Sequence, residues 1–399
     1  MLTNTIQDLQ HKSHTIRPLK IGIDLLWVRP NKVGGTESYI RNLLDGFKNH
    51  SPEGFKFLLF VSKDNHPSFQ EYFETPNFDF LECEIKSSNI TKRILWENIH
   101  LDKLAVKQEV DVMFIPVYSM PSKHSSIPYI VTIHDLQALH FPKYFSKLKY
   151  FWLRWSWKRS VRKADRIIAI SNFVRKDICE HLKADPQKIV VIYNPITQTK
   201  EMEDFCLISR NFGIEKGNYL YSITSLLPHK NTEVLIRLLA TIKNEKPLGI
   251  PSKLVISGIN GKQLVGLENL AKDLGVREET IFTGYVSNAT RNALYENAFV
   301  FLFPSTFEGF GMPPIEAMMF GTPVITTKCA SIPEVTGNRC FYVDNPYSEK
   351  EWLNKIQELK EKEERETYLF PQYCTKHATN EFLGLINKIL DSTREGNKQ

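Results

Sequence analysis

The chain has 399 residues, a formal net charge of +6, 42% hydrophobic and 24% charged residues, a balance that excludes global disorder. That length exceeds what one hydrophobic core organises, so two domains are expected. Its six cysteines lie far apart and form no CxxC pair, which points to reduced thiols rather than a disulfide framework or a zinc site.

The opening MLTNTIQDLQHKSHTIRPLK is polar and lacks the apolar run of a secretory leader. No stretch reaches about 18 uninterrupted apolar residues. A cytoplasmic protein is expected, with any membrane contact peripheral, on an inner membrane face.

Short apolar runs then alternate with longer amphipathic ones. LKIGIDLLW (19–27), FKFLLFVS (55–62), VDVMFIP (110–116), YIVTIHD (129–135), RIIAIS (166–171) and KIVVIYN (188–194) read as buried parallel strands. A second series runs through NYLYSIT (218–224), KLVISG (253–258), TIFTGYV (280–286), FVFLFPS (299–305), TPVITT (322–327) and CFYVD (340–344). Two successive β-α series predict an α/β chain of two doubly wound domains. The stretch 195–216 shows no strong periodicity and is the expected boundary. The end turns charged and helical, Pro371 interrupts, and CTKHATNEFLGLINKIL forms a last amphipathic segment before a polar tail.

Four segments carry candidate chemistry. NKVGGTESYIRNLL (31–44) brings Gly34 and Gly35 to the start of a helix after the first strand, a candidate anion nest. It lacks the GxGxxG spacing, which sets aside a nicotinamide-dependent oxidoreductase. TIHDL (132–136) sets His134 and Asp135 behind a strand, where they suit either a sugar or phosphate oxygen and an acceptor, or local capping. SLLPHKN (225–231) sets Lys230 behind the first strand of the second series, fit to neutralise a diphosphate or to stand as a solvated lysine.

FPSTFEGFGMPPIEAMMFGTPVI (303–325) is the densest of the four. It predicts a strand, a loop, and a helix entered through Pro313 and Pro314 and ended by Gly321. Ile315, Met318 and Met319 fall on one helical face and are expected against the sheet, which turns Glu316 away from it. Gly309 and Gly311 allow close backbone approach. Glu308 and Glu316 suit sugar hydroxyls better than phosphate, since carboxylates accept hydrogen bonds and repel anions. The plainer reading makes Glu316 a first-turn acid and Glu308 a solvated loop residue.

Between residues 143 and 163 stand eight cations and no acid, more than the whole-chain excess. Leu148, Trp152 and Trp155 form one helical stripe, and Lys147, Arg154, Lys158 and Arg162 another. That pattern fits an interfacial helix on anionic lipid; it equally fits a helix packed on the sheet with a solvated basic face. No nucleic-acid partner is expected.

Together these segments resemble retaining glycosyltransferases of the family-4 type with the GT-B fold. FEGFGMPPIEAMMFGTPVI is similar to that family's E-x7-E donor signature, and GGTESYI, TIHDL, RIIAISNFVRKDI, KIVVIYNP, LLPHKN, FTGYVSN and SIPEV add support. The resemblance runs from about residue 20 to 390. It implies two Rossmann-like domains facing a cleft: an acceptor domain (1–200), a donor domain (201–375), and a final helix (376–399) returning to the first. It implies Glu316 on the donor ribose, Glu308 on the transferred sugar, backbone N–H groups of Phe310 and Gly311 beside that sugar, and Lys230 on the diphosphate. His134 would lie by the reaction face and Gly35 near the donor phosphate, with Tyr285 and Val286 lining the nucleobase pocket.

The family often has arginine immediately before the lysine; here His229 stands there, which implies a diphosphate held less strongly or by a residue elsewhere in the chain. No DxD motif occurs, so no divalent metal and no cofactor are expected beyond the co-substrate, a GDP- or UDP-sugar. The expected activity is metal-independent retaining transfer of a hexose, mannose first, to a lipid-linked or polysaccharide acceptor in glycan biosynthesis. The alternatives are a nucleotide-sugar epimerase of the same fold, or a non-enzymatic binder of membrane or nucleic acid through 143–163.

Overall fold

The apolar runs become the parallel strands of two sheets in the computed structural model, which describes residues 17–30, 34–122, 125, 127–197, 201–261, 264–361 and 365–396. The polar N-terminal stretch to residue 16, residues 31–33 of the glycine-bearing segment and the last three residues lie outside the described residues.

The first sheet contains β1 (Leu19–Asp24), β2 (Phe55–Ser62), β3 (Phe78–Cys83), β4 (Val112–Ile115), β5 (Tyr129–Ile133), β6 (Arg166–Ala169) and β7 (Ile189–Val191), in the order β3-β2-β1-β4-β5-β6-β7. The second contains β8 (Leu220–Ile223), β9 (Leu254–Ser257), β10 (Thr280–Gly284), β11 (Val300–Phe303), β12 (Val324–Thr327) and β13 (Phe341–Val343), in the order β10-β9-β8-β11-β12-β13. Both follow the doubly wound pattern, in which the strand order reverses beside the first strand of the series. Two Rossmann-like α/β domains result.

Central strands are covered by helices on both faces, so β4, β5, β9, β11 and β12 are buried along their whole length. Edge strand β3, FDFLEC, is buried only at its two ends, Phe78 and Cys83, and carries the exposed Asp79 and Glu82. It escapes a reading that looks for continuous apolar runs. The stretch 195–216 also differs from expectation, because Phe205–Phe212 forms a helix capped by Asp204 and ended by Gly213 at φ 62. Only Ile208 of that helix is buried, which is why its pattern is faint.

By packing, the chain divides into two units. The first comprises residues 1–132, 162–167 and 379–399, and the second 133–161 and 168–378. In the first, Phe47 stacks on Phe57 at 4.5 Å between ring centroids, and Phe382 of the C-terminal helix meets Phe47 at 5.0 Å and Phe114 at 4.8 Å. In the second, Leu220, Leu254, Ile256, Val300, Leu302, Ile325 and Trp352 centre the core. All six cysteines are free thiols. Among the described residues no helix is long and apolar enough to cross a membrane.

Candidate functional site

The second sheet reverses its order between β8 and β11, which lie side by side in parallel with Phe301 opposite Tyr221. The chain leaves β8 toward one side and β11 toward the other, and in open α/β sheets ligands bind outside the carboxyl ends of the strands at such a switch point. Lys230 is on the first loop and Glu308 on the second. The Lys230 Nζ donates to Glu308 Oε1 at 2.6 Å, with both side chains largely buried. The ammonium also lies 5.6 Å from the centre of the Phe303 ring.

Pro228 opens a 3-10 turn, Pro228–Lys230, which fixes the lysine's approach. The preceding His229 is buried, and its carbonyl accepts from Thr306 N at 2.8 Å, tying the two loops together. Burial, then the neighbouring Lys230 charge, push the His229 imidazole down to about 4, against the opposing pull of Glu308. Gln137 Nε2 hydrogen-bonds its Nδ1. At that value the buried imidazole is neutral at pH 7.

The glycines act through close approach. A Cβ on Gly309 would stand 2.1 Å from the carbonyl oxygen of His134, and one on Gly311, at φ 92, would stand 2.4 Å from Ile332 Cδ1. The loop is then pinned by hydroxyls. Ser171 Oγ donates to the Gly309 carbonyl at 2.8 Å, while Ser331 Oγ lies 2.9 Å from the carbonyls of both Glu308 and Phe310. Phe310 is buried, its ring edge-on to Tyr373 at 5.2 Å. Glu334 of the SIPEV segment accepts from Asn172 N at 2.8 Å and Phe173 N at 3.0 Å, capping the helix Asn172–Leu182.

His134 and Asp135 thus lie against the Glu308 loop, both half-buried. The Asp135 carboxylate accepts from Gln137 N at 2.9 Å. Burial raises its pKa; that hydrogen bond opposes the rise, Glu308 adds to it and Lys230 opposes it.

Helix Met312–Met319 starts behind Gly311 and buries Pro314, Ile315, Ala317 and Met318. Met319, expected against the sheet, is half-exposed, and Ala317 takes the inward place. Glu316 points to the neighbouring helix Asn288–Asn297, where Tyr295 OH donates to its Oε2 at 3.0 Å and Arg291 lies 3.7 Å from its Oε1. Arg291 and Tyr295, four residues apart, share one helical face. Sequence reasoning missed both. The i,i+4 spacing behind Ser287 was the available signal, but nothing in it names the helix it meets.

Tyr285 and Val286 follow Gly284 at the end of edge strand β10, two strands or ~10 Å across the sheet from β8. Tyr285 is 69% exposed. Gly35 begins the helix Gly35–His50 of the first unit, behind Gly34 at φ 61. The basic segment forms the helix Lys147–Lys163. Leu148, Phe151 and Trp155 are its exposed apolar stripe, at 83%, 63% and 53% exposure, with Lys147, Arg154, Lys158 and Arg162 also exposed. Trp152, assigned to that stripe from sequence, is half-buried and Phe151 takes its place. The reason is the neighbouring turn: Leu153, Ser156 and Trp157 face inward, and Trp152 borders them.

Residues 33–199 match the family described as Glycosyltransferase Family 4, and residues 207–372 match Glycosyl transferases group 1. The O-antigen chain mannosyltransferase RfbU of Salmonella typhimurium is 32% identical over 242 residues, covering 60% of this chain and 64% of that protein. The O-antigen chain mannosyltransferase B of Escherichia coli is 29% identical over 224 residues, 54% of this chain and 57% of that protein. The matched stretch therefore spans between 57% and 64% of these curated relatives. Among solved structures, Anabaena Alr3699/HepE in complex with UDP and glucose superposes with a TM-score of 0.64 at 17% identity, over 95% of this chain and 100% of that one. With both halves matched and the fold shared, the chain belongs to the family-4-type glycosyltransferases of GT-B fold.

Proposed function

We propose that the chain transfers a hexose, mannose first, from a nucleoside-diphosphate sugar to a lipid-linked or polysaccharide acceptor, with retention of configuration and without a catalytic divalent metal. The observation that carries this reading is the Lys230–Glu308 pair at 2.6 Å on the two loops that follow β8 and β11 at the switch point. An ammonium there neutralises a departing diphosphate, and a carboxylate beside it accepts hydrogen bonds from sugar hydroxyls.

In this reading Glu316, oriented by Tyr295, takes the ribose, and backbone N–H groups of Phe310 and Gly311 meet the transferred sugar. His134 sits by the reaction face, Asp135 faces the acceptor, and Tyr285 and Val286 border the base. Gly35 is assigned to the donor phosphate on the resemblance alone. With Glu308 assigned to the sugar hydroxyls and Asp135 to the acceptor rather than to the anomeric carbon, the leaving diphosphate helps deprotonate the acceptor as it departs, and the protein supplies position and charge. Metal independence rests on the lack of a DxD motif in the sequence. Mannose is favoured by the two relatives described as O-antigen chain mannosyltransferases; UDP and glucose in the Anabaena structure keep a UDP-sugar open.

The exposed Leu148, Phe151 and Trp155 among cations support a peripheral position on an anionic, cytoplasmic-side membrane surface. Sedimentation with anionic against neutral vesicles tests it, and Arg154→Glu with Lys158→Glu is expected to abolish the difference. The transfer reading is tested by supplying GDP-mannose, UDP-glucose and UDP-N-acetylglucosamine with a bacterial lipid and glycan extract, then following sugar incorporation. Conversion of a UDP-sugar with no acceptor present would favour the epimerase instead.

A further inference from the structure

We propose that His140, Asp177 and His181 form a binding site for a divalent transition metal of the zinc class, separate from the Lys230–Glu308 pair. His140 ends the short helix Gln137–His140, while Asp177 and His181 stand four residues apart on one face of Asn172–Leu182. His140 Nε2 lies 2.8 Å from Asp177 Oδ1 and 2.9 Å from Oδ2, and His181 Nε2 lies 3.2 Å from the same Oδ1. One ligand atom from each residue falls within 4.8 Å of the others. The two imidazoles are nearly perpendicular, 82° apart with centroids at 5.2 Å.

The donor chemistry selects the ion. Two imidazoles and one carboxylate suit zinc, cobalt or nickel, whereas calcium and magnesium require more oxygen ligands than one aspartate supplies. Tetrahedral zinc with bonds of about 2.0–2.1 Å sets its ligand atoms roughly 3.3 Å apart. The two histidine–carboxylate spacings, 2.8 and 3.2 Å, fall about 0.1–0.5 Å short of this and the set as a whole lies within 4.8 Å, a misfit that small side-chain rotations recover. The Asp177 carboxylate is 4% exposed while the imidazoles are 29% and 43% exposed. Three protein ligands thus close one side and leave the other open to water. The sequence shows no metal motif because its ligands come from segments 37 residues apart.

The site also has a consequence for its surroundings. His140 packs on Phe307 at 4.8 Å, and Phe173 of the same metal-bearing helix meets that ring at 5.8 Å. Phe307 precedes Glu308, and Ser171, capping the helix, holds the Gly309 carbonyl. A bound ion would lock the two segments that brace the Glu308 loop.

The test uses the full chain, stripped with a chelator and titrated with zinc by calorimetry and with cobalt(II) by visible absorption. One equivalent is expected to bind, with the intense bands of low-coordinate cobalt and a raised melting temperature. His140→Ala and His181→Ala should each weaken binding by more than about tenfold, and Cys206→Ser with Cys374→Ser should leave it unchanged. His181 is exposed enough that its loss does not threaten folding. No saturable binding, or binding that survives both histidine variants, would overturn the proposal and leave a hydrogen-bonded His-Asp-His cluster.

Discussion

Lys230 and Glu308 are 78 residues apart in sequence and 2.6 Å apart in space. Their meeting follows from the strand order, because β8 and β11 are neighbours and the loops beyond them start from adjacent points. The pair is largely buried, so each charge is compensated by the other. Removing one partner alone strands a charge, at a cost of about 3 kcal/mol, while removing both is far milder. Lys230→Met and Glu308→Gln are therefore expected to lower the urea midpoint singly, and the double variant to recover most of it. Transfer activity should not recover: all three should lose at least about 100-fold in kcat. Recovery of activity along with stability would reduce the pair to a structural bridge.

Tyr295 offers a finer probe. Its hydroxyl donates to Glu316 Oε2 at 3.0 Å in a buried setting, and burial followed by the Glu316 charge raises its pKa well above the ordinary phenol value. The phenol stays protonated and serves as a fixed donor. Tyr295→Phe should loosen Glu316 without removing its charge, raising the donor KM about tenfold, equivalent to ~1.4 kcal/mol. Little change is expected in kcat, because a ribose contact is equally strong in ground and transition states. A fall in kcat at constant KM would move Glu316 to the reacting sugar.

How much of this was legible in sequence depends on the distance over which each feature acts. Strands and the Gly309-to-Gly321 punctuation are local, and eleven of the second unit's features between 218 and 344 could be placed from apolar runs and breakers alone.

 Those are the six strands together with Gly309, Gly311, Pro313, Pro314 and Gly321. Long-range facts were not legible. That Gly309 must be glycine because the His134 carbonyl approaches it, that Tyr295 and Arg291 meet Glu316, and that Phe151 rather than Trp152 faces outward all depend on which surfaces the folded chain brings together. β3 escaped for a different reason, being an edge strand whose acids interrupt its apolar pattern.

His229 predicts a pH dependence of stability. Folding lowers its pKa from 6.5 to about 4, so between those values the unfolded chain binds the extra proton and the folded chain does not. Stability therefore rises with pH across that window and is fully present above about 6.5; below about 4 the loss from this residue reaches up to about 3 kcal/mol. His229→Gln, which keeps a hydrogen-bonding group beside Gln137, should flatten this part of the profile. Urea unfolding at pH 7 and pH 5 measures it, and equal slopes in wild type and variant would remove His229 as the cause.

Gly309 gives the most local prediction. A Cβ there would lie 2.1 Å from the His134 carbonyl oxygen, a backbone atom that cannot swing aside as a side-chain tip can. Contacts of that kind open only if one of the two segments moves by about 1 Å, and displacement on that scale near a reacting centre costs about 100-fold in rate. Gly309→Ala is expected to lose that much transfer activity while the protein remains folded, because the loop keeps its Ser171 and Ser331 tethers on either side. Donor affinity, read by calorimetry with the nucleoside diphosphate alone, should fall much less than kcat, since Lys230 is held on the other loop. Gly311→Ala is the contrasting case: its added carbon meets the end of the Ile332 side chain, at 2.4 Å, in a backbone at φ 92. Pairing Gly311→Ala with Ile332→Val relieves the contact but not the backbone strain, so partial rescue is expected there. No such companion substitution exists for Gly309, whose obstacle is the main chain. A Gly309→Ala protein with wild-type kcat would mean that the His134 segment yields freely, and that its closeness to the Glu308 loop contributes nothing to the chemistry.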